Sequence, residues 1–214
     1  MHQFIDIHTH NITTPANSLR IMNLYERFDR IPDTDWYSAG LHPWNLTEKF
    51  EIEALSLAVA RPNVLAIGEC GLDKVCTTDW NLQRTAFVQQ IHLANDIGKP
   101  IIIHCVRAWD EVLTTLRQEK VCVPVVFHGF NKSNMAPRLI DQGYYLSFGK
   151  ALLTSGSPAA QAISAIPADR YFLETDDADI AIADIYTAAA SLLQTEQFDV
   201  ILQLQQNFKT VFNR

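Results

Sequence analysis

The sequence is short of basic charge, of cysteine and of long apolar runs, and each shortage removes a class of function. Lys and Arg number 17 against 24 Asp and Glu, a formal net charge of −7. A broad cationic surface that grips duplex DNA through its phosphates is therefore excluded, although a phosphate held by a few local cations is not. The four cysteines, Cys70, Cys76, Cys105 and Cys122, include no Cys-x-x-Cys pair. That argues against a zinc finger or a secreted disulfide scaffold, and the thiols read as reduced, small apolar groups. No stretch approaches 18 uninterrupted apolar residues, and Met1-His2-Gln3-Phe4 is not a basic segment leading into an apolar one. No membrane association or secretory signal is expected, and the expected location is cytoplasmic. No Gly-x-Gly-x-x-Gly follows the first apolar run, which disfavours a Rossmann dinucleotide site.

What is present suits a soluble α/β domain. With 214 residues, 48% of them hydrophobic and 19% charged, a single domain over residues 1–214 with a substantial core is expected. Short β-like runs recur at 3–7, 20–24, 36–41, 64–67, 100–103, 123–127, 144–148 and 171–173. Several are apolar without alternation, as in parallel strands covered on both faces. Helical periodicity fills the later gaps: Ile52, Leu55 and Val59; Gln83, Phe87 and Gln90 in a segment ending at Gly98-Lys99-Pro100; Trp109, Val112, Leu113 and Leu116; Ile201, Leu204, Phe208 and Val211. Strands alternating with helices, eight times, predict a TIM-type (β/α)8 barrel. The first connections are too short, and too poor in amphipathic pattern, for full crossover helices. Trimmed early crossovers are therefore expected.

Chemistry-bearing residues sit at the ends of these runs. In Asp6-Ile7-His8-Thr9-His10 the alternate side chains share a strand face, so two imidazoles are placed to chelate one ion, with Asp6 deeper and suited to orienting a ligand. Later runs end in Glu69, His104, His128 and Asp176, where barrel strands deliver residues to the catalytic face. Four imidazoles and two carboxylates exceed the needs of one catalytic zinc, which keeps a position open for water. Two divalent ions use them naturally. The simplest partition gives one ion to His8, His10 and Asp176 and the other to His104 and His128, with Glu69 bridging. Zn²⁺, Mn²⁺ or Mg²⁺ are candidates, the mixed nitrogen and oxygen donors favouring first-row ions over Ca²⁺.

The ordered set Asp6-Ile7-His8-Thr9-His10, Gly40-Leu41-His42-Pro43, Gly68-Glu69-Cys70-Gly71-Leu72-Asp73, Gln83 with Phe87 and Gln90-Ile91, Pro100 with His104 and Arg107, His128-Gly129-Phe130, and Leu173-Glu174-Thr175-Asp176 resembles the TatD-type metal-dependent hydrolases of the amidohydrolase superfamily. The resemblance runs from the N-terminus to about residue 177, with Asn207-Phe208 to Phe212 similar to the family's last helix. It implies a metal-dependent hydrolase barrel, typically a deoxyribonuclease acting exonucleolytically on phosphodiesters, and supports metal roles for His8, His10, Glu69, His104, His128 and Asp176. Asp176 is the candidate to orient or deprotonate the attacking water. His42 is a candidate to contact the phosphate or protonate the leaving oxygen, and Arg107 to pair with a phosphate oxygen. Asp73 and Glu174 are expected to receive imidazole N–H groups.

The chain departs from the family at Asp176-Asp177-Ala178-Asp179, where a serine or alanine, proline and tyrosine are usual and a histidine- and arginine-bearing loop follows. Extra carboxylates and a missing loop disfavour a long polyanion. A phosphodiesterase or deoxyribonuclease acting on phosphodiesters, single-stranded DNA among them, or on other small esters is the leading reading. The alternatives are an amidohydrolase-type lactonase or deacylase, in which the same water attacks a carbonyl, and a non-catalytic metal-binding barrel. A monomer or weak oligomer is expected.

Overall fold

The computed structural model describes residues 3–11, 18–26, 28, 31–50 and 52–213. Eight strands are present: β1 Phe4–Thr9, β2 Ser18–Leu24, β3 Trp36–Ala39, β4 Val64–Asp73, β5 Ile101–Val106, β6 Val125–Phe127, β7 Tyr145–Phe148 and β8 Tyr171–Leu173. The helices are α1 Ile52–Val59, α2 Trp80–Ile97, α3 Trp109–Gln118, α4 Ala136–Asp141, α5 Pro158–Ile163, α6 Ile182–Leu193 and α7 Gln197–Phe212. The strands follow chain order in one sheet, and the ladders β1–β2, β3–β4, β4–β5, β6–β7 and β7–β8 are all parallel. Parallel strands in this order, with helices between them, form the expected TIM-type (β/α)8 class. Among the described residues no helix separates β1 from β2 or β2 from β3, which agrees with trimmed early crossovers; residues 12–17 of the first connection lie outside the description. No helix among the described residues is long and apolar enough to cross a membrane.

The chain divides into two compact units, Met1–Met22 with Val126–Arg214, and Asn23–Val125. In the first, Ile5, Ile7, Val126, Phe127, Leu146, Phe148, Phe172 and Leu173 are buried strand residues. Helices α6 and α7 supply Ile185, Tyr186, Leu204, Phe208 and Phe212 to the same core, with the Phe172 and Phe212 rings 5.8 Å apart. Each such side chain contributes about 1.5–3 kcal/mol when fully buried. The Tyr186 hydroxyl donates to Ile5 O at 3.0 Å and accepts from Ile5 N–H at 2.9 Å, satisfying backbone groups of β1 that burial removes from water.

In the second unit β4 is buried along its whole length and Ile101 to Ile103 of β5 beside it. Helix α2 begins at Asp79, whose carboxylate accepts from Leu82 N–H at 2.9 Å, and stops at Gly98 in the left-handed conformation, as the Gly-Lys-Pro signal suggested. One difference from the sequence expectation matters for the site. Strand β4 does not stop at residue 67 but continues to Asp73, so Glu69 stands inside the strand and not at its end. Gly68 and Gly71 make this possible: both have positive φ, and a Cβ would lie 2.6 Å from Ile102 O at the first and 2.0 Å from His104 O at the second. Only glycine permits so close an approach of β4 to β5.

Candidate metal centres

The first unit gathers its candidate ligands around the junction of β1 with the segment after β8. Asp176 lies three residues past β8 with φ +54. Its N–H donates to His8 O at 3.0 Å, and His10 N–H donates to Asp176 O at 3.0 Å. The chain after β8 is thus laced onto the end of β1, and the carboxylate arrives beside the imidazoles: Asp176 Oδ1 is 3.6 Å from both His8 Nε2 and His10 Nε2. His128, one residue past β6, brings its ring centroid to 4.4 Å from that of His8. One ligand atom each from His8, His128 and Asp176 lie within 4.8 Å of one another. Glu174, fully buried, accepts from Gly129 N–H at 2.5 Å, and the same oxygen is 3.6 Å from His128 Nδ1. Asp6 accepts from Thr175 N–H at 3.0 Å and from the Thr175 hydroxyl at 2.6 Å, so it fastens the residue next to Asp176. Burial raises the Asp6 carboxyl to about 7 against the opposing pull of these Thr175 hydrogen bonds.

The second unit builds its group from side-chain hydrogen bonds. Glu69, only 3% exposed, has its Oε1 3.1 Å from His42 Nε2 and 2.6 Å from His104 Nδ1. The donor set of two imidazoles and a carboxylate, again within 4.8 Å, has the composition that first-row divalent ions favour. The two histidines differ in what they can offer. His42 Nδ1 accepts from Trp44 N–H at 3.1 Å, so in the neutral ring the proton is on Nε2 and points at Glu69. In that tautomer His42 donates to Glu69 and keeps no lone pair on Nε2 for an ion. His104 Nε2 lies 3.1 Å from Asp73 Oδ2 and its Nδ1 hydrogen-bonds Glu69; with the Nε2 N–H held by Asp73, an ion would take the place of the proton shared by Nδ1 and Glu69, giving a carboxylate-backed imidazole ligand. Asp73 also accepts from the Trp44 indole at 2.6 Å and from Val75 N–H at 2.7 Å. Although burial opposes its charge, these donors, Trp44 before Val75 and His104, hold the carboxyl below the usual carboxylate range.

Several contributors were not singled out by the sequence. Asn23 Oδ1 accepts from Glu69 N–H at 2.8 Å and from the Ser38 hydroxyl at 3.1 Å; its signal was one amide inside the apolar run Ile21-Met22-Asn23-Leu24. Thr175 stands out in the sequence only within Leu173-Glu174-Thr175-Asp176. Gln83 and Gln90, two turns apart on α2, act as clamps. Gln83 accepts from Asp73 N–H at 2.9 Å and donates to Asp73 O at 3.1 Å, while Gln90 accepts from Leu41 N–H at 2.7 Å and donates to Leu41 O at 3.2 Å. His128 stands beside His8 and Asp176. Arg107 is exposed, with φ +53, just before the start of α3, and makes no hydrogen bond or ion pair among the described residues.

Parallel strands bearing imidazole and carboxylate groups at or near their C-terminal ends are the architecture of metal-dependent (β/α)8 barrels. The model of the TatD related DNase family matches residues 5–213, and the chain belongs to that family. It is similar to the uncharacterized metal-dependent hydrolase YcfH of Escherichia coli K12, 33% identical over 149 residues that cover 68% of this chain and 56% of YcfH. It is also similar to the 3'-5' ssDNA/RNA exonuclease TatD of Edwardsiella piscicida, 32% identical over 176 residues, 78% of this chain and 64% of that protein. The matched segment thus spans between about half and two thirds of the length of these relatives. Among solved structures, the TatD homolog YjjV of Escherichia coli K12 superposes with a TM-score of 0.85 at 23% identity, covering 100% of this chain and 99% of that one, and shares the fold.

Proposed function

We propose that the chain is a metal-dependent phosphodiester hydrolase that uses two divalent ions, one on each ligand group. The observation that carries this reading is that the first unit brings ligand atoms of His8, His128 and Asp176 within 4.8 Å of one another, while the second sets His104 Nδ1 2.6 Å from Glu69 Oε1, both near the C-terminal ends of parallel strands. Family membership supports a hydrolytic role, and the exonuclease name of one relative supports a nucleic-acid or nucleotide-like substrate. Ions bound at such groups act as Lewis acids and lower the pKa of a coordinated water.

The chain's own residues divide the remaining work. His8, His10, His128 and Asp176 hold one ion, Glu69 and His104 the other. Asp176, whose side chain is about one-third exposed while His8 is fully buried, is the carboxylate able to meet a water and take its proton. His42 and Asp73 fix Glu69 and His104 from behind. Exposed Arg107 offers its planar donors to a non-bridging phosphate oxygen. The substrate is short: Lys150 Nζ is engaged by Asp177 at 3.0 Å, so that cation is already paired, and the net charge of −7 gives a long polyanion little to hold.

Metal content and turnover of wild type, Asp176→Asn and Glu69→Gln, compared on dinucleotides, a single-stranded oligonucleotide, a phosphomonoester and a carboxylate ester, test this. The expected result is metal-dependent cleavage of the phosphodiesters, fastest on the short ones, and loss in both variants. Exclusive turnover of the carboxylate ester, or full phosphodiesterase activity in both variants, would overturn it.

A further inference from the structure

We propose that the Trp44 indole is a stacking platform for a nucleobase of the substrate, so that the site selects phosphodiesters carrying a base next to the bond that is cut. This rests on the phosphodiesterase reading above and adds a specificity determinant to it. The chain has four tryptophans; Trp36, Trp80 and Trp109 are half-buried, whereas Trp44 is 61% exposed. An exposed indole is ordinarily free to turn. Here it is not: Nε1–H donates to Asp73 at 2.6 Å, and the residue sits in the 3₁₀ turn Pro43–Asn45 whose backbone is tied to His42 Nδ1. The polar edge is satisfied by a buried carboxylate and the apolar surface is left to water.

A platform fixed in this way has already lost its rotamer freedom, so covering it costs little further ordering. It stands edge-on to His42, ring centroids 5.1 Å apart, and to His104 at 5.8 Å. A planar ring lying on it is therefore within one nucleotide's reach of a phosphate at the Glu69 and His104 group. The other oxygen of Asp73 holds Val75 N–H, and the Val75 side chain is 59% exposed, so two apolar surfaces hang from the same anchor. A rigid, solvent-exposed indole suits a flat heteroaromatic ring better than an alkyl chain. With the indole N–H spent on Asp73, Trp44 reads no base edge, and the preference is for any base over none.

The test compares the metal-loaded wild type, Trp44→Ala and Trp44→Phe on a dinucleotide and on the same phosphodiester with an abasic residue. Wild type is expected to favour the base-bearing substrate about 10-fold in kcat/KM, expressed in KM, with the ratio falling toward one in Trp44→Ala and largely restored in Trp44→Phe. The base-to-abasic ratio is the readout, since a general loss of folding moves both substrates together. An unchanged ratio in Trp44→Ala, or no preference in wild type, overturns the inference while leaving the hydrolase reading intact. If neither phosphodiester is cleaved, the hydrolase reading fails, and binding decides the platform. Quenching of tryptophan emission by a nucleoside monophosphate, absent with deoxyribose 5-phosphate and lost in Trp44→Ala, supports it, and equal binding of both ligands overturns it.

Discussion

In the first unit the candidate ligand Asp176 is placed mainly by the backbone: it exchanges two main-chain hydrogen bonds with His8 and His10, with one side-chain clasp, Asp6 on Thr175, beside them. In the second the candidate ligands are placed by side chains: His42, Asp73, Asn23, Gln83 and Gln90 form a web around Glu69 and His104. The first device sets a position largely through chain geometry and rests on few side chains outside the candidate ligands, Asp6 and Thr175 chief among them. The second spreads positioning over buried amides and carboxylates, each of which costs free energy when its partner is removed. The two groups should therefore fail differently.

The largest effect is expected where a residue meets the reacting water. Asp176→Asn keeps the backbone bridge and the fold but removes the base, and kcat should drop by about 10²–10⁴-fold in single-turnover assays with little change in melting temperature. Gln83→Leu attacks the other unit without touching a ligand. It leaves the N–H and C=O of Asp73 buried without this partner, at about 1–3 kcal/mol for each unsatisfied group, and ion affinity in the second group should fall about 10- to 100-fold by metal titration. A matching loss of stability with unchanged ion affinity would mean that the clamp serves the fold alone.

Asp6 gives a pH signature confined to the first unit. Its carboxyl is raised from 3.8 to about 7 by burial, so between these values the unfolded chain has lost the proton while the native chain keeps it. Stability of the metal-free protein should thus be fullest below pH 4 as far as this group is concerned, and fall as pH rises toward 7 by about 1.4 kcal/mol per pH unit. Asp6→Asn should flatten that slope in denaturant titrations. The smallest effect is expected at Arg107, exposed and outside both groups: Arg107→Ala should raise KM for a phosphodiester by about threefold and leave kcat alone.

Much of this organisation was legible in the residues. Short β-like runs marked all eight strands, several of them apolar without alternation as in strands covered on both faces, and the Gly98-Lys99-Pro100 signal marked the end of α2. The clustering of imidazoles and carboxylates was legible because His8 and His10 alternate on one strand and Glu69, His104, His128 and Asp176 follow apolar runs. The extent of β4 was not: Gly68 and Gly71 read as a loop, whereas they are the points where two backbones meet too closely for any Cβ. The hydrogen bonding of His42 was not legible, since a backbone N–H two residues away claims Nδ1, and no spacing rule encodes a tautomer. Asn23 escaped notice for a related reason: one buried amide in an apolar strand declares that something polar faces it, but not what.

The most direct measurement is phosphodiesterase turnover followed while the metal-free chain is titrated with Zn²⁺ or Mn²⁺ and bound metal is counted in parallel. Turnover is expected to appear only as occupancy rises toward two ions per chain, and to be absent at that occupancy in Asp176→Asn. Full turnover with one ion bound, or with none, would contradict the assignment of one ion to each ligand group.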